Sequence, residues 1–205
     1  MKKLVKFIFK GMLVVLVIFG VLWGYRTHEN VKRVEAYRAQ VSSELAKYDL
    51  TADTQLVLAI IYTETKGGAT DVMQSSESVA GNGNTNVIDT QSESMSQGIK
   101  NLVNLIEYAN EKGCDVYTGV QAYNFGKAYV DYVAAHGGTN TTKLAEAYSR
   151  TVVAPSLGNK TGATYTHLTW DSLFYNGGKL YTDGGNFFYA QEVHFNFNLL
   201  KLFNW

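Results

Sequence analysis

Apolar residues crowd the first 25 positions of the chain and then separate into spaced stripes. The run from Gly11 to Tyr25 carries no charge; Leu4, Val5 and Phe7 to Phe9 extend it backward around Lys6 and Lys10. The run alone is short for a membrane span, but lysines at its inner end can snorkel to the interface and lengthen it. Trp23, Tyr25 and Arg26 stand where a cleavage site would need small residues, and aromatics there suit an interfacial belt. Residues 1–25 therefore predict a cytoplasmic tail and transmembrane signal anchor, with a cleaved signal peptide as the alternative. The lysine cluster at the N-terminus predicts that the tail stays inside and the rest of the chain is extracellular.

From His28 to Leu50, Val31, Val34, Tyr37, Val41, Leu45 and Tyr48 recur at threes and fours, which predicts an amphipathic helix or stalk over 26–50. Asp53 or Thr54 is placed to cap a helix through Leu56 to Ile61 that stops at Gly67-Gly68. A short helical turn is expected around Val72 to Ser78, then a polar loop from Gly81 to Glu93. Ser94 is the expected cap of a helix with Ile99, Leu102, Val103 and Ile106 on its inner face. Asp115 opens another, broken at Gly126, and Tyr129 to Ala135 resumes the pattern. Thr141 or Thr142 begins a helix to about Val152, stopped by Pro155. Beyond it, Tyr, Phe and Thr mix with Asn-Gly-Gly and Asp-Gly-Gly, which predicts an irregular aromatic C-terminal tail with room for a hairpin. The body, 51–205, reads as one mainly α domain with a C-terminal extension.

Composition narrows the function. The net charge of zero hides four N-terminal lysines; without them 14 basic residues face 18 acidic ones. A mildly acidic body lacks the basic stripe that phosphates require, so nucleic acid is not an expected partner. The lone Cys114 cannot form an intrachain disulfide, and the four histidines lack ligand spacing, so no metal and no cofactor are expected.

The candidate acid is Glu64. Ile60, Ile61 and Val57 lie four, three and seven positions earlier, so Glu64 continues an apolar stripe into the last turn of its helix. Partial burial and the negative end of the helix dipole both favour a protonated carboxyl, which is how a general acid is prepared. A solvated last-turn Glu paired with Lys66 fits the same stretch.

Three segments stand in order: TETKG at 63–67, DVMQSSES at 71–78 and QAYNFG at 121–126. Together they resemble the lysozyme-like glycan-cleaving families, of the goose-type lysozyme and lytic transglycosylase kind. The chain is most similar to the CwlT-like lysozyme-domain family and, within it, to the membrane-anchored pneumococcal vaccine antigen A proteins. The resemblance runs from the N-terminal anchor to the VAPSLGN-TG segment. It implies a lysozyme-like helical fold, Glu64 as general acid/base, Gln74 in the sugar cleft, and Tyr123 and Asn124 beside the catalytic carboxylate. Thr65 stands where the transglycosylases carry Ser; Ser75, Ser76 and Gln97 are secondary lining by position.

The implied reaction is cleavage of the β-1,4 bond between N-acetylmuramic acid and N-acetylglucosamine in peptidoglycan, of the muramidase type. A hydrolase needs a second group to position water or trap the cation, for which Asp71, Glu77, Asp89 and Glu93 are candidates. A lytic transglycosylase lets the sugar's own hydroxyl attack and leaves an anhydro end. A non-cleaving scaffold that holds glycan for cell-wall synthesis or division proteins is the third reading.

Overall fold

A computed structural model describes residues 2–50, 53–76 and 88–203. The first helix, α1 (Lys2–Glu35), does not end with the apolar run but continues into the body. Its segment Phe9–Glu35 is long and apolar enough to cross a membrane. A turn at Ala36 and Tyr37 splits the expected stalk helix, and α2 (Arg38–Leu45) resumes it. Val31 and Val34 of α1, with Val41 and Leu45 of α2, are buried in the main core.

Helix α3 (Thr54–Thr65) is the centre of that core. Every residue from Leu56 to Tyr62 is buried, because α1, α2 and the C-terminal helix pack around it. Asp53 takes the N-cap position without a side-chain cap bond. The helix stops one residue before the glycine pair, with Lys66 itself in the left-handed conformation at φ 53°. The Tyr37 hydroxyl donates to the Gly67 carbonyl at 3.1 Å and pins the stop.

After a turn over Val72 and Met73 comes α4 (Gln91–Glu111). Thr90 caps it, its hydroxyl accepting from the Glu93 amide at 3.1 Å, so the expected cap Ser94 lies inside the first turns. Glu77 and Ser78 of the expected 72–78 turn, and residues 81–87 of the expected polar loop, fall outside the described residues. Asp115 caps α5 (Val116–Phe125), accepting from the Thr118 amide at 2.8 Å, and Gly126 at φ 84° ends it. Gly119 lets α5 lie close on α4, since a Cβ there would meet the Ile106 backbone at 2.8 Å.

Helix α6 (Ala128–Ala134) leads to α7 (Thr142–Tyr148), capped by Thr141. Pro155 does not stop this helix as expected. The chain widens into a π-helical stretch, Ser149–Val153, which relieves the proline's clash with the preceding turn, and a last turn runs over Ala154–Ser156.

The segment expected to be irregular is largely ordered. Strand β1 (Thr164–Thr166) pairs antiparallel with β2 (Lys179–Tyr181), flanking α8 (Trp170–Asn176). The buried Asn159 amide holds the base of this hairpin, donating to the Ala163 and Thr182 carbonyls. Then α9 (Tyr189–Phe203) packs on α3 and α5. A second cluster forms from Leu105 and Ala109 of α4, Tyr129, Val130 and Val133 of α6, and Phe187 and Phe188 ahead of α9. Tyr123 touches both clusters, and the candidate site lies at their seam.

Candidate active site

Glu64 is half-buried in the last turn of α3. Its Oε1 accepts a hydrogen bond from the Tyr189 hydroxyl at 2.6 Å, across 125 residues of sequence. Burial pushes the Tyr189 hydroxyl well above its ordinary pKa, and the charge of Glu64 adds to it, so this phenol is a permanent donor. The ring of Tyr123 stacks on Tyr189 with centroids 6.3 Å apart. Burial likewise holds the Tyr123 proton, with the charges of Glu64 and Asp71 adding to the effect. Its hydroxyl donates to the Met73 carbonyl at 2.9 Å. Gly98 makes room for that contact: a Cβ there would lie 2.8 Å from Met73 and 2.9 Å from the Tyr123 hydroxyl.

The third motif sets Tyr189 from the other side. Gln121 is fully buried; its Nε2 donates to the Asn186 carbonyl at 2.8 Å, and its Oε1 accepts from the Ala190 amide at 3.0 Å. Asn124, exposed at the end of α5, accepts from the Asn186 amide at 2.8 Å through Oδ1. Asn186 in turn donates to Glu192 at 3.0 Å, and Glu192 meets His167 at 2.6 Å. Helix α5 therefore clamps the turn that starts α9, and Tyr189 follows three residues later. A cavity of about 690 Å³ opens beside this clamp, walled by Asn101, Asn104 and Tyr108 of α4 and by Tyr123 and Asn124. Glu64 is not in its wall; Tyr123 joins the cavity to the Glu64 cluster.

The second motif is held by Asp71. Its carboxylate accepts from the Ser94 hydroxyl at 2.6 Å, the Ser76 hydroxyl at 2.6 Å, and the amides of Ser75 and Ser76 at 2.9 and 3.0 Å. Burial alone would raise this carboxyl; the bonds from Ser76, Ser94 and the Ser75 and Ser76 amides win and hold it below the usual carboxylate range. Ser75 and Ser76, expected among the cleft lining, are buried and face Asp71 instead. The short hydroxyls supply the donors that a half-buried carboxylate demands. The Thr65 hydroxyl is likewise engaged, donating to the Val72 carbonyl at 2.9 Å and tying the end of α3 to this turn. Gln74 is exposed at φ 49°, and Gln97 is half-buried on α4 beside Gly98.

The family model for lysozyme-like domains matches residues 31–197. The chain belongs to the lysozyme-like family. It is 51% identical over 187 residues to the pneumococcal vaccine antigen A homolog of Streptococcus pyogenes, covering 91% of this chain and 92% of that one. It is 34% identical over 126 residues to the bifunctional muramidase/DL-endopeptidase CwlT of Bacillus subtilis, covering 62% of this chain and 37% of that protein. A solved structure from Staphylococcus aureus, described as similar to a lipoprotein of the NLP/P60 family, superposes with a TM-score of 0.71. It is 31% identical, and the match covers 81% of this chain and 52% of that one.

Within this lysozyme-like domain, Tyr189 links Glu64 to Tyr123, Asn124 lines the cavity beside Tyr123, and Thr65, Ser75 and Ser76 are engaged inside the scaffold. Sequence reasoning missed Tyr189, Gln121 and Gly98. Tyr189, Val193, Phe197 and Leu200 repeat at helical spacing, which was a signal for α9. Gln121 was visible as part of QAYNFG but not as a clamp. Among the described residues no group of three or more His, Cys, Asp or Glu is placed to hold a metal.

Proposed function

We propose that the chain cuts peptidoglycan glycan strands at the N-acetylmuramic acid to N-acetylglucosamine β-1,4 bond, as a muramidase tethered to the membrane by α1 with its body outside. The observation that carries this is the Glu64 carboxyl in the grip of Tyr189, with Tyr123 stacked behind it and a polar cavity alongside. The muramidase named among the relatives supports the choice of bond. Protonated Glu64 donates to the glycosidic oxygen as positive charge develops at the muramic acid carbon. The rigid donor from Tyr189 fixes which carboxyl oxygen faces the bond, a positioning effect. Asn101, Asn104 and Asn124 offer amide donors and acceptors suited to sugar hydroxyls and N-acetyl groups.

Lytic transglycosylation is the second reading, and the state of Asp71 favours it. Both oxygens of Asp71 are filled by serine donors, which leaves it a poor nucleophile or water base. The test incubates the full-length chain in detergent with purified peptidoglycan and weighs the products. Reducing-end muramic acid marks the hydrolase and the anhydro form marks the transglycosylase. Glu64→Gln abolishes either product with the fold intact; normal release by that variant would sink both readings and favour a non-cleaving scaffold.

A further inference from the structure

Leu168 and helix α8 carry apolar side chains into solvent. Leu168 is 72% exposed, Trp170 63%, Leu173 47% and Phe174 82%, and the rings of Trp170 and Phe174 stack at 6.3 Å. Apolar side chains gathered this way on a surface mark a binding face.

The position of the patch indicates what covers it. Trp23 and Trp170 line one cavity of about 360 Å³, together with Phe195 and Lys66. Trp23 also meets the ring of Phe203 edge-on at 6.1 Å, and the adjacent Leu202 is 70% exposed. Trp23 closes the apolar run of α1, where the aromatic belt of a span stands at headgroup level. At 1.5 Å per residue, the helix from Lys6 to Arg26 is about 30 Å long, the thickness of a hydrocarbon core. Helix α8 and the end of α9 are therefore level with the outer end of the span. Lys66 supplies a charge suited to anionic headgroups, against which the exposed Asp171 of α8 works.

We propose that Leu168 and α8 form a second membrane contact that seats the body on the bilayer beside α1. The proposal rests on the reading of α1 as a span. Thr63 and Lys66, which flank Glu64 in the sequence, line the same cavity as Trp23 and Trp170. A body seated there meets glycan at the membrane face, whereas a body on a loose tether would sweep a wider depth of wall.

The test uses the full-length chain in lipid nanodiscs containing phosphatidylcholine brominated on its acyl chains, with two single-tryptophan variants. One keeps Trp170 (Trp23→Phe with Trp205→Phe) and the other keeps Trp23 (Trp170→Phe with Trp205→Phe). The expected result is quenching of both by brominated lipid, and a several-fold loss of Trp170 quenching when Phe174→Asp is added. Quenching of Trp23 alone, with Trp170 open to aqueous acrylamide, overturns the second contact while leaving the span standing, and turns attention to a protein partner for α8. Quenching of neither overturns the span and the proposal together.

Discussion

At the scale of single residues, the site rests on one hydrogen bond between distant parts of the chain. The Tyr189 hydroxyl and Glu64 Oε1 are 2.6 Å apart, and the tyrosine keeps its proton because burial and the nearby carboxylate both oppose its loss. Removing the hydroxyl leaves the ring and its stacking on Tyr123 in place. Tyr189→Phe is therefore expected to lower kcat about tenfold, the worth of roughly 1.4 kcal/mol, while the melting temperature hardly moves. Assays on purified glycan beside thermal melts check this. An unchanged kcat would show that the phenol does not position Glu64. In the sequence the TETKG motif singles out Glu64; helix phase does not. Leu56 to Tyr62 are buried without a break, so phase around α3 separates nothing. What exposes Glu64 is its place in the last turn, where the surrounding helices no longer close over it.

At the scale of elements, two junctions build the site, and each makes a prediction. The first is Gly98, where α4 passes Met73 and the Tyr123 hydroxyl at a distance no side chain fits. Gly98→Ala is expected to cost about 1–3 kcal/mol of stability by overpacking and to displace Tyr123. Denaturant unfolding measures the cost, and loss of activity in the still-folded fraction reports the displacement. The second junction is Asp71, which joins the 71–76 turn to α4 through Ser94. Its folded pKa lies below the unfolded value of about 4. Its stabilisation is thus fully present above pH 4 and drains away as pH falls through the lower, folded value. Asp71→Asn is expected to melt lower than the parent at neutral pH, by about 2–4 kcal/mol for several lost charge-assisted bonds. The gap should close as both are acidified below pH 4; a gap independent of pH would contradict the assignment. The helices and most caps were legible because periodicity and Asx or Thr signals are local: Asp115 and Thr141 cap as expected. The roles of Ser75, Ser76 and Ser94 were not. A hydroxyl that bonds a carboxylate 23 residues away, as Ser94 does with Asp71, leaves no trace in local pattern. Helix α9 does leave a local trace, with Tyr189, Val193, Phe197 and Leu200 at helical spacing, but the aromatic and asparagine residues among them obscure it.

At the scale of the whole molecule, the apolar helix α1 and the body share one core. Thr27, Val31 and Val34 of α1 are buried, and the Tyr62 hydroxyl of α3, its proton held by burial, lies beside Asn30 and Thr27. The segment after the apolar run is therefore part of the folded body, and the end of that run is continuous with the part of α1 that packs on the helix bearing Glu64. This separates two truncations that a purely flexible stalk would make equivalent. A chain beginning at Arg26 keeps Thr27, Val31 and Val34 and is expected to fold and melt like the parent. A chain beginning at Arg38 uncovers α3 where the two valines sat, each worth about 1.5–3 kcal/mol of burial. The summed loss of roughly 3–6 kcal/mol is comparable with the 5–15 kcal/mol total of a typical domain. The shorter chain should therefore unfold at much lower urea or aggregate through the bared face of α3. Urea titrations of the two chains, followed by circular dichroism, decide the point: equal midpoints would mean that the α1 contact with α3 contributes nothing to the stability of the body.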